Sequence, residues 1–317
     1  MANYLVTGGC GFIGSHLVDS LIRDGHRVRI LDDFSTGKRD NIQQHDCEVI
    51  VGDVANSAMV ALSMENIDAC FHLAANSSVQ QSNENWVATH KTNVTGSINV
   101  FNAARNKQIP IVYASSAAVY GDNAEMPLTE FSELRPLTAY GADKLGSELH
   151  ARVASLVHGV PTFGLRFFNV YGPRQNPSSP YSGVISIFIK RLFEEQTFTI
   201  FGDGEQTRDF VYVGDVIKAL RSAMINISSV PSVLNVCTGE STSINKLAKI
   251  ILAISGLNVS IEHQKTRSGD IRVSVGDPTR TKQKLEVSAD IRLVHGLRKL
   301  IDSVETKYDS YDMTMAK

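Results

Sequence analysis

Three glycines near the start of the chain limit its possible folds more than any other feature. Gly8, Gly11 and Gly14 follow a short apolar run and precede residues 15–22, where apolar side chains recur at helical spacing. This order predicts a strand, a tight turn and the N-terminus of a helix. The free N–H groups and the positive end of the helix dipole at such a junction attract an anion. Glycine is required because a Cβ would block the turn, the approach of a pyrophosphate, or the packing of helix on strand.

Two carboxylates downstream indicate a dinucleotide as the ligand. Residues 26–31 predict a second strand, and Asp32 and Asp33 follow it directly. A carboxylate about 20 residues past such glycines binds the ribose hydroxyls of a dinucleotide. Because an acid at Asp32 would repel a 2′-phosphate, the sequence favours NAD over NADP as cofactor.

The composition is that of an ordinary globular protein. The chain has 317 residues, of which 43% are hydrophobic and 20% charged, with a net charge of −2. The chain has no long basic run, so its sequence does not indicate a nucleic acid or an anionic membrane as partner. No apolar stretch approaches the ~20 residues of a membrane span. The first strand begins at the N-terminus, which leaves no room for a signal peptide. The four scattered cysteines predict free thiols in the cytoplasm, and the nine histidines form no metal-binding cluster.

The first half of the chain alternates apolar strands with helical patterns, including helices over residues 85–105 and 139–158. Such alternation predicts an α/β protein, a Rossmann fold with a doubly wound parallel sheet. Ligands of these sheets bind at the carboxyl ends of the strands. The residues at predicted strand ends, which should therefore line one crevice, are Asp32, Asp53, Ala74, Ser116 and Asn169.

The alternation stops after Gly172, where the proline-rich segment 173–180 begins. Short helices and short strands follow, which predicts a smaller, mixed α/β C-terminal region that closes over the crevice. We therefore expect an NAD-binding domain over residues 1–172 and a substrate-binding region over residues 173–317. The chain should cross back into the first domain at about 205–240.

A tyrosine and a lysine suggest the chemistry. Tyr140 and Lys144 are four residues apart on a predicted helix and share a face. A tyrosine becomes a useful general base only if its pKa, ~10 when free, falls toward 7, and a nearby lysine and a cationic nicotinamide can lower it. Ser115 and Ser116 lie upstream at a strand end. A hydroxyl donor, an activated phenol and a nicotinamide together form a site for hydride transfer between a carbinol and a carbonyl.

The motifs together resemble the extended short-chain dehydrogenase/reductase family, in its nucleotide-sugar epimerase/dehydratase branch. The resemblance covers almost the whole chain. Within the family, the chain is most similar to UDP-glucose and UDP-N-acetylglucosamine 4-epimerases. Its blocks are Thr7–Gly14, His72–Ala75, Thr92–Val94, Ser115–Gly121, Tyr140 with Lys144, Arg166–Gly172 and Phe201–Asp209. The family implies a Rossmann domain, tightly held NAD and a sugar carried on a nucleoside diphosphate.

The resemblance also implies a role for individual positions. Ser116 would be the catalytic hydroxyl, Tyr140 the base, and Lys144 its electrostatic partner and a ribose ligand. The positions implied for NAD are Gly8, Gly11, Phe12, Ile13, Gly14, Asp32, Asp33, Ser35, Asp53, Val54, Leu73, Ala74, Ala75, Asn93, Ser115, Tyr140, Lys144 and Phe168. Those implied for the nucleotide sugar are Ser78, Ser116, Tyr140, Asn169, Val184, Thr199, Phe201, Arg208, Arg267, Asp270 and Ser274.

Two alanines and a serine narrow the reaction and the substrate. Family members that eliminate water carry an acid/base pair after the catalytic hydroxyl, and decarboxylases carry one acid there, whereas this chain has Ala117 and Ala118. Reversible oxidation at one carbon remains, which predicts an NAD-dependent 4-epimerase acting through a transient 4-keto sugar. Ser274 occupies the position of a gate beside the sugar's C2 substituent, and its small size suggests UDP-N-acetylhexosamines in addition to UDP-hexoses.

Other functions are also compatible with the sequence. The chain could act on UDP-glucuronate, since Arg174 could meet a carboxylate, or on another nucleotide sugar, or reduce a 4-keto sugar. A protein that senses NAD without catalysis is a further alternative, although such proteins usually lose the Ser, Tyr or Lys that this chain retains. The helices over 85–105 and 139–158 resemble those that form a four-helix bundle between subunits in the family, which predicts a homodimer.

Overall fold

A computed structural model describes residues 1–177, 183–266 and 271–315. The strands are β1 (Asn3–Thr7), β2 (Arg27–Asp32), β3 (Glu48–Val51), β4 (Ala69–His72), β5 (Ile111–Ser116), β6 (Thr162–Phe167), β7 (Asn169–Tyr171), β8 (Phe198–Phe201), β9 (Thr207–Arg208), β10 (Phe210–Tyr212), β11 (Ser232–Val236), β12 (Thr242–Ser243), β13 (Ile261–Gln264) and β14 (Val273–Ser274). The α-helices are α1 (Phe12–Arg23), α2 (Ser57–Ser63), α3 (Val79–Glu84), α4 (Trp86–His90), α5 (Gly96–Ala104), α6 (Ala139–His158), α7 (Val184–Phe193), α8 (Val213–Ile225), α9 (Ile244–Ser255), α10 (Thr279–Leu285) and α11 (Leu293–Met315).

Seven parallel strands form the central sheet in the order β11-β6-β5-β4-β1-β2-β3. Successive residues face opposite sides, so Leu5 packs with α2, α5 and α6, whereas Val6 packs with α1 and α8. Both faces of the sheet are therefore covered, which is the usual condition for parallel strands. The predicted α/β fold with a doubly wound sheet is confirmed.

The last strand of this sheet comes from late in the chain. β11 pairs with β6, and Leu234 lies opposite Leu165. Smaller sheets, β10-β7, β12-β9-β14 and β13-β8, lie outside the main sheet. A separate apolar cluster packs α7, α9 and α11 against β8 and β10, with Phe188 and Phe198 stacked at 4.5 Å.

The sheet brings the predicted strand ends to one edge. β2, β3, β4, β5 and β6 are parallel neighbours or near neighbours, so their carboxyl ends point the same way. Asp32 and Ser116 are the last residues of their strands, and Asp53, Ala74 and Asn169 follow theirs by two residues. The sequence prediction of a common crevice edge agrees with this topology.

Candidate active site

The turn between β1 and α1 has no room for a side chain at Gly8 or Gly14. Gly8 has a φ of +70°, and a Cβ there would lie 2.8 Å from the backbone nitrogen of Ala74. A Cβ on Gly14 would lie 2.1 Å from the carbonyl oxygen of Gly8. Gly11 precedes α1 and makes no side-chain cap for the helix N-terminus. The turn thus offers backbone N–H groups to an anion and fits a dinucleotide pyrophosphate.

Asp32 braces this turn from the end of β2. Its Oδ2 accepts the backbone N–H of Cys10 at 2.9 Å, and its Oδ1 accepts that of Phe34 at 2.9 Å. Burial raises the pKa of Asp32, and these two backbone bonds oppose the rise. A carboxylate has about four acceptor positions, so it can still receive ribose hydroxyls. Asp33 lies outside this brace and accepts both the N–H and the hydroxyl of exposed Ser35.

The segment after β4 is fixed by Asn93. The Asn93 side chain accepts the N–H of Asn76 at 2.8 Å and donates to the Asn76 carbonyl at 3.2 Å. The N–H of Ala74 bonds Thr7 Oγ1 at 3.2 Å, which ties this segment to the glycine turn. Leu73, Ala74 and Ala75 are consequently held beside the glycine turn. The other predicted adenosine positions, Asp53 and Val54, follow β3, where Asp53 is exposed and Val54 is buried.

Ser116, Tyr140 and Lys144 converge where β5 meets α6. The Ser116 side chain lies close enough to the Tyr140 phenol to lower its pKa. The ammonium of Lys144 donates to the Ala114 carbonyl at 3.0 Å and lies 5.8 Å from the centroid of the Tyr140 ring. The first turn of α6 is held in place because Ser82 Oγ accepts the N–H of Tyr140 at 3.1 Å. Phenol, hydroxyl and ammonium therefore share one small region.

Burial governs the pKa of both titratable groups in this trio. Burial raises the pKa of Tyr140, while the nearby Ser116 side chain lowers it, and the net direction is upward. Burial lowers the pKa of Lys144 to about 8. The protein's own groups therefore do not produce the downward shift expected for the tyrosine.

The two adjacent serines point in opposite directions. Ser115 is buried, and its hydroxyl donates to Glu148 Oε1 at 2.5 Å, within a pair formed by Glu148 and Arg166. Successive side chains of a strand alternate between faces, so the Ser115 hydroxyl cannot share the Ser116 position. The Ser115 hydroxyl therefore serves the ion pair, and a contact of Ser115 with the cofactor stays a prediction.

Three predicted substrate residues are joined by short strand pairings. Ser274 pairs with Arg208 across β14 and β9, and the Ser274 carbonyl accepts the N–H of Asp209 at 3.0 Å. The N–H of Asn169 bonds the Asp209 carbonyl at 3.0 Å. Asn169, Arg208 and Ser274 therefore meet around one residue, Asp209.

Asp209 is the residue that sequence reasoning missed. Its buried carboxylate accepts the N–H and hydroxyl of Thr238 at 2.8 and 2.7 Å. It also accepts the N–H groups of Gly239 and Gly276 at 2.8 and 3.4 Å. Burial raises the pKa of Asp209, and these bonds oppose the rise. In the sequence, the position of Asp209 next to Arg208 in the block Phe201–Asp209 was the one indication of its importance.

The remaining predicted positions are more dispersed. Ser78 caps α3, where its hydroxyl accepts the N–H of Gln81 at 3.0 Å. Val184 begins α7, and Thr199 on β8 accepts a bond from Arg191. The others are Phe12 and Ile13 in the first turn of α1, Phe168 buried after β6, and Phe201 at the end of β8. Arg267 and Asp270 lie outside the described residues.

Among residues 1–177, 183–266 and 271–315, no group of three His, Cys, Asp or Glu side chains could hold a metal ion. Within the same residues, no helix is both long enough and apolar enough to cross a bilayer.

Comparison with known proteins gives consistent matches along the chain. The model of the NAD dependent epimerase/dehydratase family matches residues 4–237. A relative described as a putative UDP-glucose 4-epimerase of Methanocaldococcus jannaschii is 37% identical over 301 residues, covering 94% of this chain and 97% of the relative. The Thermotoga maritima UDP-glucose 4-epimerase, solved with UDP-glucose, matches with a TM-score of 0.93 and 33% identity, covering 96% of this chain and 99% of its own.

Two further structures differ in their ligands. The UDP-N-acetylglucosamine 4-epimerase of Methanobrevibacter ruminantium M1, in complex with UDP-N-acetylmuramic acid, has a TM-score of 0.92 and 35% identity, with coverage of 96% and 99%. The UDP-glucuronic acid 4-epimerase of Bacillus cereus, with UDP-glucuronic acid and NAD, has a TM-score of 0.89 and 29% identity, with coverage of 96% and 100%.

Proposed function

Since the chain belongs to the NAD-dependent epimerase/dehydratase family, we propose that it is a 4-epimerase of UDP-hexoses and UDP-N-acetylhexosamines that acts through a transient 4-keto sugar. NAD is its cofactor, as the family requires. The observation that carries the proposal is the convergence of Ser116, Tyr140 and Lys144 at the end of β5, where the Lys144 ammonium lies 5.8 Å from the centroid of the Tyr140 ring and the Ser116 side chain lowers the pKa of the phenol.

Each of the three side chains has a separate task in this reaction. Tyr140 takes the proton from O4 of the sugar and later returns it, while the Ser116 hydroxyl holds O4 by a hydrogen bond. Tyr140 takes this proton as a phenolate and becomes a neutral phenol, and the Lys144 ammonium stabilises the phenolate before the proton arrives. Bound NAD⁺ supplies reversible hydride acceptance at C4, so no net oxidation results. Arg208 holds the diphosphate while the keto sugar turns its other face.

The residues after Ser116 support epimerisation over elimination. Ala117 and Ala118 form a short 3-10 turn directly after β5, and the Ala118 N–H bonds Ser116 Oγ at 3.1 Å. Neither methyl group can move a proton at C5 or C6. Dehydration and decarboxylation both need such a group, so oxidation at C4 alone is the chemistry that these residues support.

The substrate preference rests on Ser274. Ser274 lies on β14 opposite Arg208, and a small residue at this position would accept an N-acetyl group beside C2. Arg174 Nη2 lies 2.7 Å from Asp19 Oδ2 on α1. Its Nη1 is buried with no hydrogen-bond partner among the described residues, so UDP-glucuronate stays an alternative substrate.

We also propose a homodimer for this enzyme. Leu149, Val153, Leu156 and Val157 are exposed on α6, and Ile98 is exposed on neighbouring α5. An apolar stripe of this kind on two packed helices usually marks an interface. Its occupant would be the same stripe on a second copy, which gives four helices around a two-fold axis.

The proposal is tested with purified protein and no added cofactor. UDP-glucose, UDP-N-acetylglucosamine and UDP-glucuronate are supplied separately, and the 4-epimers are resolved by chromatography. We expect conversion of the first two. The Tyr140→Phe variant, which retains the ring and loses the proton acceptor, should bind NAD and lose at least about a hundredfold in kcat. Full activity of this variant would overturn the assignment.

A further inference from the structure

A buried histidine that the reaction does not use lies directly before the predicted NAD residues 73–76. His72 is the last residue of β4, and both nitrogens of its ring have a partner. Nδ1 lies 2.8 Å from Oγ1 of Thr7, and Nε2 lies 3.0 Å from Oγ of Ser97. Thr7 and Ser97 are buried as well, so the three side chains form a hydrogen-bonded chain inside the protein.

Ser97 determines which nitrogen of the ring carries a proton. Its hydroxyl donates to the Asn93 carbonyl at 2.5 Å, and a carbonyl oxygen can only accept. Because a hydroxyl has one proton, Ser97 Oγ must accept from His72. The hydroxyl of Ser147 has carbonyl acceptors of its own at 3.0 and 3.2 Å, so it leaves this direction unchanged. His72 Nε2 is therefore the protonated nitrogen.

The other nitrogen of the ring is then an acceptor. Burial, together with the nearby charge of Lys144, lowers the pKa of His72 to about 3, so the ring is neutral and has a single proton. With that proton on Nε2, Nδ1 accepts from the Thr7 hydroxyl. Thr7 Oγ1 in turn accepts the N–H of Ala74 at 3.2 Å. Every proton of the chain thus has a defined direction.

This chain reaches both ends of the segment 73–76. At one end, Thr7 holds the Ala74 N–H, which lies so close to the glycine turn that a Cβ on Gly8 would be 2.8 Å from it. At the other end, the Asn93 side chain holds Asn76 by two hydrogen bonds. A shift of the ring would therefore move the segment relative to the glycine turn.

We propose that His72, as a neutral ring with its proton on Nε2, is a positioning residue for NAD that holds the segment 73–76 against the glycine turn through Thr7 and Ser97. The proposal concerns the cofactor and is independent of which sugar the enzyme converts. It can be tested without turnover.

The proton on the ring is observed directly by NMR. The full chain loaded with NAD is labelled with ¹⁵N at histidine, and long-range ¹H–¹⁵N correlations are recorded at neutral pH. The His72→Gln variant identifies the signal of His72 among the nine histidines. We expect a proton on Nε2 and none on Nδ1. A proton on Nδ1, alone or together with one on Nε2, would overturn the proposal.

The effect on the cofactor is measured with Thr7→Val, which keeps the shape and removes the hydroxyl. The Nδ1 of His72 and the N–H of Ala74 then lose their partner. We expect bound NAD to exchange with isotope-labelled NAD at least about tenfold faster, the order of a lost buried hydrogen bond. Thr7→Ser retains the hydroxyl and should exchange close to the original rate. The affinity for UDP, measured by calorimetry with NAD bound, should stay unchanged in both variants.

Thr162→Val is the matched control. Thr162 is also a buried strand threonine, and its hydroxyl bonds Ser155 Oγ and the Ala151 carbonyl at 2.8 and 3.1 Å. It begins β6, whereas Thr7 ends β1, so the two lie at opposite edges of the parallel sheet. Both valine variants should lose stability in urea unfolding, but only Thr7→Val should release NAD faster.

Unchanged NAD exchange in Thr7→Val, or an equal acceleration in Thr162→Val, would overturn the proposal. If Thr7→Val does not fold, Ser97→Ala takes its place, because it removes the acceptor of the Nε2 proton and should accelerate exchange in the same way. A protein that holds NAD as expected and converts no UDP-sugar would contradict the proposed function and leave the role of His72 intact.

Discussion

Two adjacent serines at the end of β5 have different partners. Ser116 lies near the Tyr140 phenol, whereas Ser115 donates to Glu148 and supports its pair with Arg166. The family pattern alone predicts a catalytic role for Ser116, because Ser116 lies in the block Ser115–Gly121. The inward role of Ser115 was not predictable, because it depends on Glu148, which lies 33 residues along the chain on α6.

The gate position gives a prediction at the same scale. Ser274→Tyr should fill the space beside the sugar's C2 substituent and lower kcat/KM for UDP-N-acetylglucosamine roughly tenfold or more relative to UDP-glucose. The backbone at this position is fixed by Arg208 and Asp209, so the substitution changes mainly the side chain. Ser274→Ala is the control and should convert both sugars. An unchanged ratio of kcat/KM for the two sugars in Ser274→Tyr would contradict a gate at this position.

Asp209 illustrates what sequence alone cannot supply. Its partners Thr238, Gly239 and Gly276 are 29, 30 and 67 residues away. Local patterns describe neighbours in the chain, whereas this carboxylate joins segments that meet only in the folded state. Its buried bonds fix the short strands that carry Arg208 and Ser274, and such strands have little pairing of their own.

At the scale of elements, helix ends were predictable where caps are local. The helix predicted over 139–158 is α6, with the same bounds. Thr138 Oγ1 accepts the N–H of Gly141 at its start, and Gly159 adopts a left-handed φ of +70° at its end. The helix predicted over 85–105 is interrupted by a π-turn at Lys91–Thr95. That turn places Asn93 toward Asn76 and Asp143, a contact that apolar periodicity does not reveal.

Two helical glycines provide a matched prediction. Gly14→Ala in α1 would place a methyl group 2.1 Å from the Gly8 carbonyl oxygen, so we expect a loss of about 3 kcal/mol or more in unfolding free energy and loss of NAD. Gly146→Ala in α6 meets its nearest atom, Val94 Cγ2, at 3.6 Å. That variant should be neutral or gain up to about 1 kcal/mol. Urea unfolding and bound-NAD absorbance measure both effects, and equal stability of the two variants would contradict the packing argument.

At the scale of the whole molecule, the sheet topology was predictable and the outer sheets were not. Long apolar strands alternating with helices define the parallel sheet, and ligand residues then fall at one edge. The strands β9, β12 and β14 have two residues each and carry too little pattern to be read from sequence. They form because Asp209 and its neighbours bring distant segments together.

The exposed stripe on α6 leads to a prediction about assembly. Val153→Glu places a charge in the proposed interface, so the protein should shift from twice the mass of the chain to the single-chain mass in light scattering after gel filtration. Ile225→Glu is the control, because Ile225 is also exposed but lies at the end of α8. A single-chain mass for the unmodified protein would contradict the proposed dimer. An equal shift in the control would contradict the proposed interface on α6.

In the proposed reaction, hydrogen leaves C4 and returns to the same carbon on the opposite face. The most direct measurement uses UDP-glucose, or UDP-N-acetylglucosamine, deuterated at C4, with product analysed by mass spectrometry and NMR and no cofactor added. We expect a 4-epimer that keeps its deuterium at C4, because the hydrogen never exchanges with solvent. A product carrying solvent hydrogen at C4, or a product altered at another carbon, would contradict it.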